Sequence, residues 1–372
     1  MNKYQYSATE IFQRLQDYEL AQYGSSKIHL PTDEQIAIIE ADPSIPSVVI
    51  AGAGSGKTET MGARVLWLVA NGIVRPDQIL GLTFTRKAAG ELALRIRRRL
   101  RLLQASGLLP KSETGTALDL SVTVSTYHSY AGRVLSEHAI RLGIDAGSDP
   151  IGEAALWQVT NNIVSNFESS EFELNHSVAT IVDHVTNLSG ELGEHHVSSA
   201  ELKEFLHQRL DEYATISSAK SNQVVQKAID TIKERLTILP MVEALETHRQ
   251  LTGNLSFNDQ MNLAAQLVTE FGDIGAQERT KFQIVLLDEY QDTSYSQVRF
   301  LSHLFSQGHP VMAVGDPNQA IYGWRSASPE TLESFPKHFP ATGQQVVPRY
   351  KLLTTWRNDL QILTLANRII DE

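Results

Sequence analysis

Two short segments carry residues whose types and spacing suit phosphate and water chemistry. The first is Ala51-Gly52-Ala53-Gly54-Ser55-Gly56-Lys57-Thr58, between the apolar run Val48–Ala51 and a helical pattern with Met61, Val65, Leu66, Leu68 and Val69. Its glycines let the backbone curl so that several N–H groups face one anion, and the helix N-terminus that follows adds a positive dipole. In such a loop Lys57 reaches the β- and γ-phosphates of a nucleotide and Thr58 ligates Mg²⁺. The usual first residue is glycine and here it is Ala51, but the strand–loop–helix context is the required one. The second segment is Asp288-Glu289, closing the apolar run Ile284–Leu287. There Asp288 would hold Mg²⁺, and Glu289 would orient or deprotonate a water. A carboxylate pair after a strand also caps helices, but a phosphate loop upstream favours the metal-linked reading.

These residues need elements to position them. Short aliphatic runs at Val48–Ala51, Ile79–Phe84, Val122–Val124, Ile284–Leu287 and Val311–Val314 read as strands buried on both faces. Several end in polar or glycine-rich residues, where ligands bind in a parallel sheet. The expectation is an α/β fold, a doubly wound parallel sheet of the P-loop NTPase type. From about Tyr130 to Phe282 the apolar spacing turns helical, punctuated by Asp149-Pro150, Gly190, Gly193 and Pro240. That stretch is too long for a loop and reads as an all-helical domain inserted into the first. The predicted organisation is residues 1–129 with 276–349 for the nucleotide-binding domain and residues 130–275 for the insertion. A strand at Tyr350–Leu353 and a helix at Leu360–Ile370 would begin a further α/β domain at residues 350–372.

The chain has 372 residues and a formal net charge of −11, which excludes a basic coat of the histone type, so any nucleic-acid contact must use a local patch. Between Arg86 and Arg101 lie seven basic residues and one acidic residue, Glu91. Such a stretch can track a phosphate backbone, although charge runs on helices are often solvated faces. Cysteine is absent, which removes disulfides, thiolate nucleophiles and cysteine-held metal centres and fits a reducing compartment. No apolar run has the length of a signal peptide or a membrane span. His195-His196 near Glu191 and Glu194 lacks diagnostic metal spacing, and Ser256-Phe257-Asn258-Asp259 reads as a helix capping box.

With these residues in hand, the chain resembles the UvrD/Rep-type superfamily 1 DNA helicases, through several motifs in the family's order. Leu30-Pro31-Thr32-Asp33-Glu34-Gln35 resembles the adenine-reading segment, with Gln35 as reader. Thr83-Phe84-Thr85-Arg86-Lys87-Ala88-Ala89 and Thr126-Tyr127-His128-Ser129 resemble segments that meet single-stranded DNA. Asp288-Glu289-Tyr290-Gln291-Asp292 resembles the family's acidic signature, and Gly315-Asp316-Pro317-Asn318-Gln319-Ala320-Ile321-Tyr322-Gly323-Trp324-Arg325 its coupling motif. Thr354-Thr355-Trp356-Arg357-Asn358 sits where the family has an Asn-Tyr-Arg-Ser-like motif. More loosely, Leu80–Leu92 and its arginine-rich sequel are similar to actinobacterial AdnB-like helicases. The family's usual Asn is Arg86 here, and its Tyr is Trp356. The family also continues into most of a second RecA-like domain, so the resemblance implies a fragment or a chain acting with a partner polypeptide.

The resemblance implies an ATP- and Mg²⁺-dependent motor that moves 3′ to 5′ on single-stranded DNA and opens duplexes at single-strand/duplex junctions, in a bacterial cytoplasm. Ala51 to Thr58, Gln35 and Trp356 would bind ATP, Thr58 and Asp288 the metal. Gln319 would sense the γ-phosphate or the attacking water, and Arg357 would act as an arginine finger from across a domain cleft. Phe84, Tyr322 and Trp324 are the candidates for stacking on bases, with Thr85, Arg86, His128 and Arg325 as further DNA contacts; Phe84 and Tyr322 could equally be core residues. Two other readings stand beside this one. A nucleic-acid-binding subunit that binds ATP and needs a partner for activity fits the missing second half. A small-molecule P-loop kinase explains the phosphate loop but not the aromatic coupling motif.

Overall fold

The computed structural model describes residues 4–109, 119–144, 151–167, 176–216, 223–253, 255–323, 329–343 and 345–371. The strands are β1 (Ser47–Ala51), β2 (Ile79–Thr83), β3 (Thr123–Thr126), β4 (Ile284–Leu287), β5 (Val311–Gly315) and β6 (Arg349–Leu352). The first five α-helices are α1 (Ala8–Tyr23), α2 (Asp33–Ile39), α3 (Lys57–Ala70), α4 (Arg86–Ala105) and α5 (Tyr127–His138). Then come α6 (Glu153–Ser165), α7 (Val178–His195), α8 (Ser199–Ile216), α9 (Gln223–Thr252) and α10 (Phe257–Glu270). The last four are α11 (Gly272–Lys281), α12 (Tyr295–Phe305), α13 (Phe335–His338) and α14 (Leu360–Asp371).

The six strands form one sheet, ordered β3-β2-β4-β5-β1-β6, with every neighbouring pair parallel. Every residue of β2, β4 and β5 is buried, so these strands need cover on both faces. On one face Ile284, Leu286, Met312 and Val314 join Trp67, Leu66, Leu92 and Leu100 of α3 and α4 in one core. Val285 and Leu287, of opposite pleat, are also buried. An aromatic group elsewhere in the core sets the Tyr130 ring against Phe282, Phe300 and Phe305.

The chain divides into two compact units, residues 1–130 with 268–372 and residues 131–267. Residues 268–275, expected in the insertion, group with the sheet-bearing unit. Ile274 is fully buried there. A Cβ on Gly275 would lie 3.0 Å from the His303 carbonyl oxygen, so α11 meets α12 at a close spacing that glycine accommodates without displacing its neighbours. Residues 349–352 differ from expectation in a second way. They do not open a new sheet but form the edge strand beside β1, Val48 pairing with Arg349 and Ala51 with Leu352. The Val48 N–H donates to the Pro348 carbonyl at 3.0 Å, so pairing begins one residue before the strand.

In the helical unit α9 runs through Pro240. Sequence reading ends a helix there, because proline removes one N–H bond. Leu239, Met241, Val242 and Leu245 are buried against Ile181, Val182 and Val185 of α7, and that packing holds the helix together across the gap. Likewise α7 continues through Gly190 and Gly193. At Gly193 a Cβ would lie 2.5 Å from Asn262 Nδ2, so the small residue serves a close approach rather than a break. Asp149-Pro150 lies outside the described residues. The capping box at Ser256 is present: its N–H donates to Asp259 Oδ2 at 2.8 Å, and its Oγ accepts from the Asp259 N–H at 3.2 Å.

Candidate functional site: a phosphate loop joined to an aromatic pair

All six strands end on the same edge of the sheet, and each delivers a motif there. β1 runs into the phosphate loop. Gly54 and Gly56 have φ of 75° and 86°, the left-handed region that glycine enters without strain. Gly56 is the residue before α3, so Lys57 and Thr58 open that helix at its positive end. The Ser55 hydroxyl is buried in the loop with no hydrogen-bond partner.

β4 delivers the carboxylates. Lys57 Nζ lies 3.2 Å from Glu289 Oε2, with side-chain exposures of 10% and 35%. Asp288 is anchored on both sides: its N–H donates to the Leu82 carbonyl at 2.8 Å, and its own carbonyl accepts from the Tyr127 hydroxyl at 2.8 Å. Thr83 Oγ1 donates to Asp288 Oδ2 at 3.4 Å. Burial, and then the Glu289 charge, push the Asp288 carboxyl up to about 6. Asp292 rises to about 6 for the same two reasons, and its Oδ1 is buried without a partner. Glu289 itself has φ of 49°, a strained conformation for a residue with a side chain, and its N–H donates to Asp288 Oδ1 at 3.1 Å. The donor set fits Mg²⁺-ATP: an N–H cradle, a hydroxyl without a partner, an ammonium already among carboxylates, and a buried acid short of positive charge. Thr58 and Asp288 would hold the metal.

β5 delivers the coupling segment. Asp316 Oδ2 accepts from Gln319 Nε2, and Asp316 Oδ1 from the Asn318 N–H at 3.0 Å. Farther along, the Tyr322 ring packs on Phe84, which follows β2, with centroids 4.9 Å apart and planes tilted by 33°. Both rings are half-buried, so each keeps an exposed part. Trp324 and Arg325 lie outside the described residues. Thr85 caps α4, accepting from the Ala88 N–H at 3.1 Å, and Arg86 and Lys87 are exposed at that helix start. Of the later arginines, Arg95 and Arg99 pair with Glu59 of α3, while Arg97, Arg98 and Arg101 are exposed. His128 is half-buried, next to the buried Tyr127 that holds Asp288.

After β6 the chain lies directly on the phosphate loop. Thr355 Oγ1 donates to the Ala53 carbonyl at 2.9 Å, and the Trp356 N–H donates to the Gly54 carbonyl at 3.0 Å. Glu34 Oε2 accepts from the Leu353 N–H at 2.9 Å. The Arg357 backbone is therefore held on the same unit as the loop, and not reached from across a cleft as the sequence suggested. Gln35 also borders the loop, its Nε2 3.1 Å from where a Gly56 Cβ would be, while its Oε1 accepts from the Thr32 N–H at 3.0 Å. Trp356 is 70% exposed. Gln291, Asp316, Thr355 and Glu34 lie within the sequence motifs, and only the three-dimensional contacts reveal their part in the site. Among the described residues, no three or more His, Asp or Glu side chains cluster so as to hold a metal ion. Among the described residues, no helix is long and apolar enough to cross a membrane.

A RecA-like P-loop NTPase unit, with its motifs gathered at the strand C-termini, is the class this fold and site define. Residues 31–340 match the UvrD/REP helicase N-terminal domain, and the chain belongs to that family. ATP-dependent DNA helicase UvrD2 of Mycobacterium tuberculosis is 29% identical over 328 residues, 88% of this chain and 41% of that protein. ATP-dependent DNA helicase PcrA of Staphylococcus aureus is 26% identical over 344 residues, 92% of this chain and 40% of that protein. The chain thus spans about two fifths of the length of the curated relatives it matches.

Proposed function

We propose that the chain is the ATP-binding motor portion of a DNA helicase that couples ATP hydrolysis to 3′-to-5′ movement on single-stranded DNA and to unwinding at single-strand/duplex junctions. The observation that carries this reading is that the Lys57–Glu289 pair and the Phe84–Tyr322 pair emerge from the same edge of one sheet, β2 and β4 being adjacent. A kinase acting on a small molecule has no use for the aromatic pair. The direction of movement comes from the family resemblance.

Mg²⁺, when bound, neutralises charge on the phosphates. Lys57 then leaves Glu289 for the phosphate oxygens, and the freed carboxylate is the group that orients or deprotonates the attacking water. Gln319, tethered by Asp316, is the neutral sensor of the γ-phosphate side. Arg357, fixed over Gly54, supplies positive charge to the transferring group. Phe84 and Tyr322 offer π-faces that accept any base, worth about 1–3 kcal/mol per stacked base.

A second reading is favoured by α14. Ile362, Leu365 and Ile369 are all more than half exposed along one face of that helix. In this reading the chain binds ATP and DNA but turns over ATP only when another body covers that face. Titration of the 372-residue chain with a fluorescent Mg²⁺-nucleotide and with labelled oligo(dT) tests what both readings share. Lys57→Ala should lose nucleotide binding and keep DNA binding. Nucleotide binding equal to that of the wild type would sink the phosphate-loop assignment.

A further inference from the structure

Gln291 belongs to the acidic signature, yet no chemical step above uses it. It is 1% exposed, and its side-chain amide is fully engaged. Nε2 donates to Glu289 Oε2 at 3.0 Å and to Asp292 Oδ2 at 3.2 Å, while Oε1 accepts from the Asp316 N–H at 3.0 Å. The amide has only one workable orientation: a flip would set its carbonyl against two carboxylates and its NH₂ against an N–H.

The neighbourhood is built around this amide. A Cβ on Gly315 would lie 2.4 Å from Gln291 Oε1 and 3.0 Å from Leu332 Cδ1. Glycine at 315 is what lets the amide reach the Asp316 N–H. On one side Glu289 Oε2 is shared between Gln291 and Lys57. On the other, the Asp316 carboxylate holds Gln319 and the Asn318 N–H, which begin the loop leading to Tyr322. A single buried side chain thus joins the group that exchanges Lys57 for phosphate to the segment that leads to Tyr322, one ring of the aromatic pair.

We propose that Gln291 is the positioning residue through which nucleotide occupancy and single-strand affinity influence each other. The proposal rests on the nucleotide and single-strand sites of the functional reading above. When Lys57 leaves Glu289, Gln291 becomes the remaining side-chain donor described on Glu289 Oε2. Any shift of that carboxylate is passed by the amide to Asp316 and its loop. Coupling of this kind is reciprocal, so DNA must change nucleotide affinity by the same factor.

The test measures the dissociation constants of a non-hydrolysable Mg²⁺-nucleotide and of labelled oligo(dT), each alone and in the presence of the other. The wild-type chain is expected to show a coupling factor of about 5–150-fold. Gln291→Met removes all three hydrogen bonds at similar volume. Gln291→Asn keeps a neutral amide but is one carbon too short to span Glu289 and Asp316, and serves if the first variant does not fold. In the folded variant both single-ligand affinities should stay near wild type while the coupling factor falls to about one. A coupling factor equal to that of the wild type, with any drop in affinity shared by both ligands, would make Gln291 merely structural and overturn the proposal. A wild-type chain that binds both ligands without coupling overturns this proposal alone. One that binds neither overturns the functional reading, and this proposal with it.

Discussion

A single methyl group at Gly54 should separate the phosphate loop from the Thr355–Arg357 segment. Gly54 has φ of 75°, and an added Cβ would lie 2.4 Å from Arg357 Cβ, 2.9 Å from Thr355 Oγ1 and 3.2 Å from the Arg357 nitrogen. The left-handed backbone costs an alanine about 1–2 kcal/mol. Forcing the extra carbon against packed atoms adds about 1–3 kcal/mol. Gly54→Ala should therefore destabilise the chain by about 2–5 kcal/mol, or lower its melting temperature by about 4–10 °C. Thermal melts followed by circular dichroism read this directly. Arg357→Gly deletes the atom in closest contact, so in the double variant the packing part of the loss should be recovered and the backbone part retained. A Gly54→Ala chain that melts with the wild type, or a double variant whose losses simply add, would refute the placement of Arg357 on the loop.

Tyr322→Ala should weaken oligo(dT) binding by about 1–3 kcal/mol and spare nucleotide affinity, measured by fluorescence anisotropy; unchanged DNA affinity would return the ring pair to a structural role. Asp288 offers a pH test. Its folded pKa of about 6 lies above the ordinary 3.8, so the proton binds more tightly in the folded state. The stability this gives is fully present below about pH 4 and is lost as pH rises through about 6. In nucleotide-free protein Asp288→Asn should accordingly be more stable than wild type at pH 8, by up to about 3 kcal/mol, with little difference at pH 4. Melts at the two pH values check this, and a gain of equal size at both would show that Asp288 does not carry the burden.

The phosphate loop, the acidic signature and five of the strands could be read from sequence because each is local: an aliphatic run followed at once by its chemistry. The sixth strand was also visible, but which sheet it joins is decided by pairing with β1, some 300 residues earlier, and no local pattern encodes that. The same long-range pairing sets Arg357 on the loop. Pro240 misled for the opposite reason, since burial of its neighbours outweighs a strong local breaker. Gln291 carries no periodic signal, and its role becomes visible only when Glu289 and Asp316, from two different strands, are seen to converge on its amide. Tyr127 lies in a segment that resembles a DNA-contacting motif, yet it is buried and holds the Asp288 carbonyl.

Mg²⁺-ATP turnover by the 372-residue chain, with and without single-stranded oligonucleotide, tests the central claim most directly when wild type is run beside Glu289→Gln. The account predicts turnover that single-stranded DNA stimulates and that Glu289→Gln abolishes while nucleotide binding survives. Turnover indifferent to DNA or to Glu289, or none at all with both ligands bound, would contradict it.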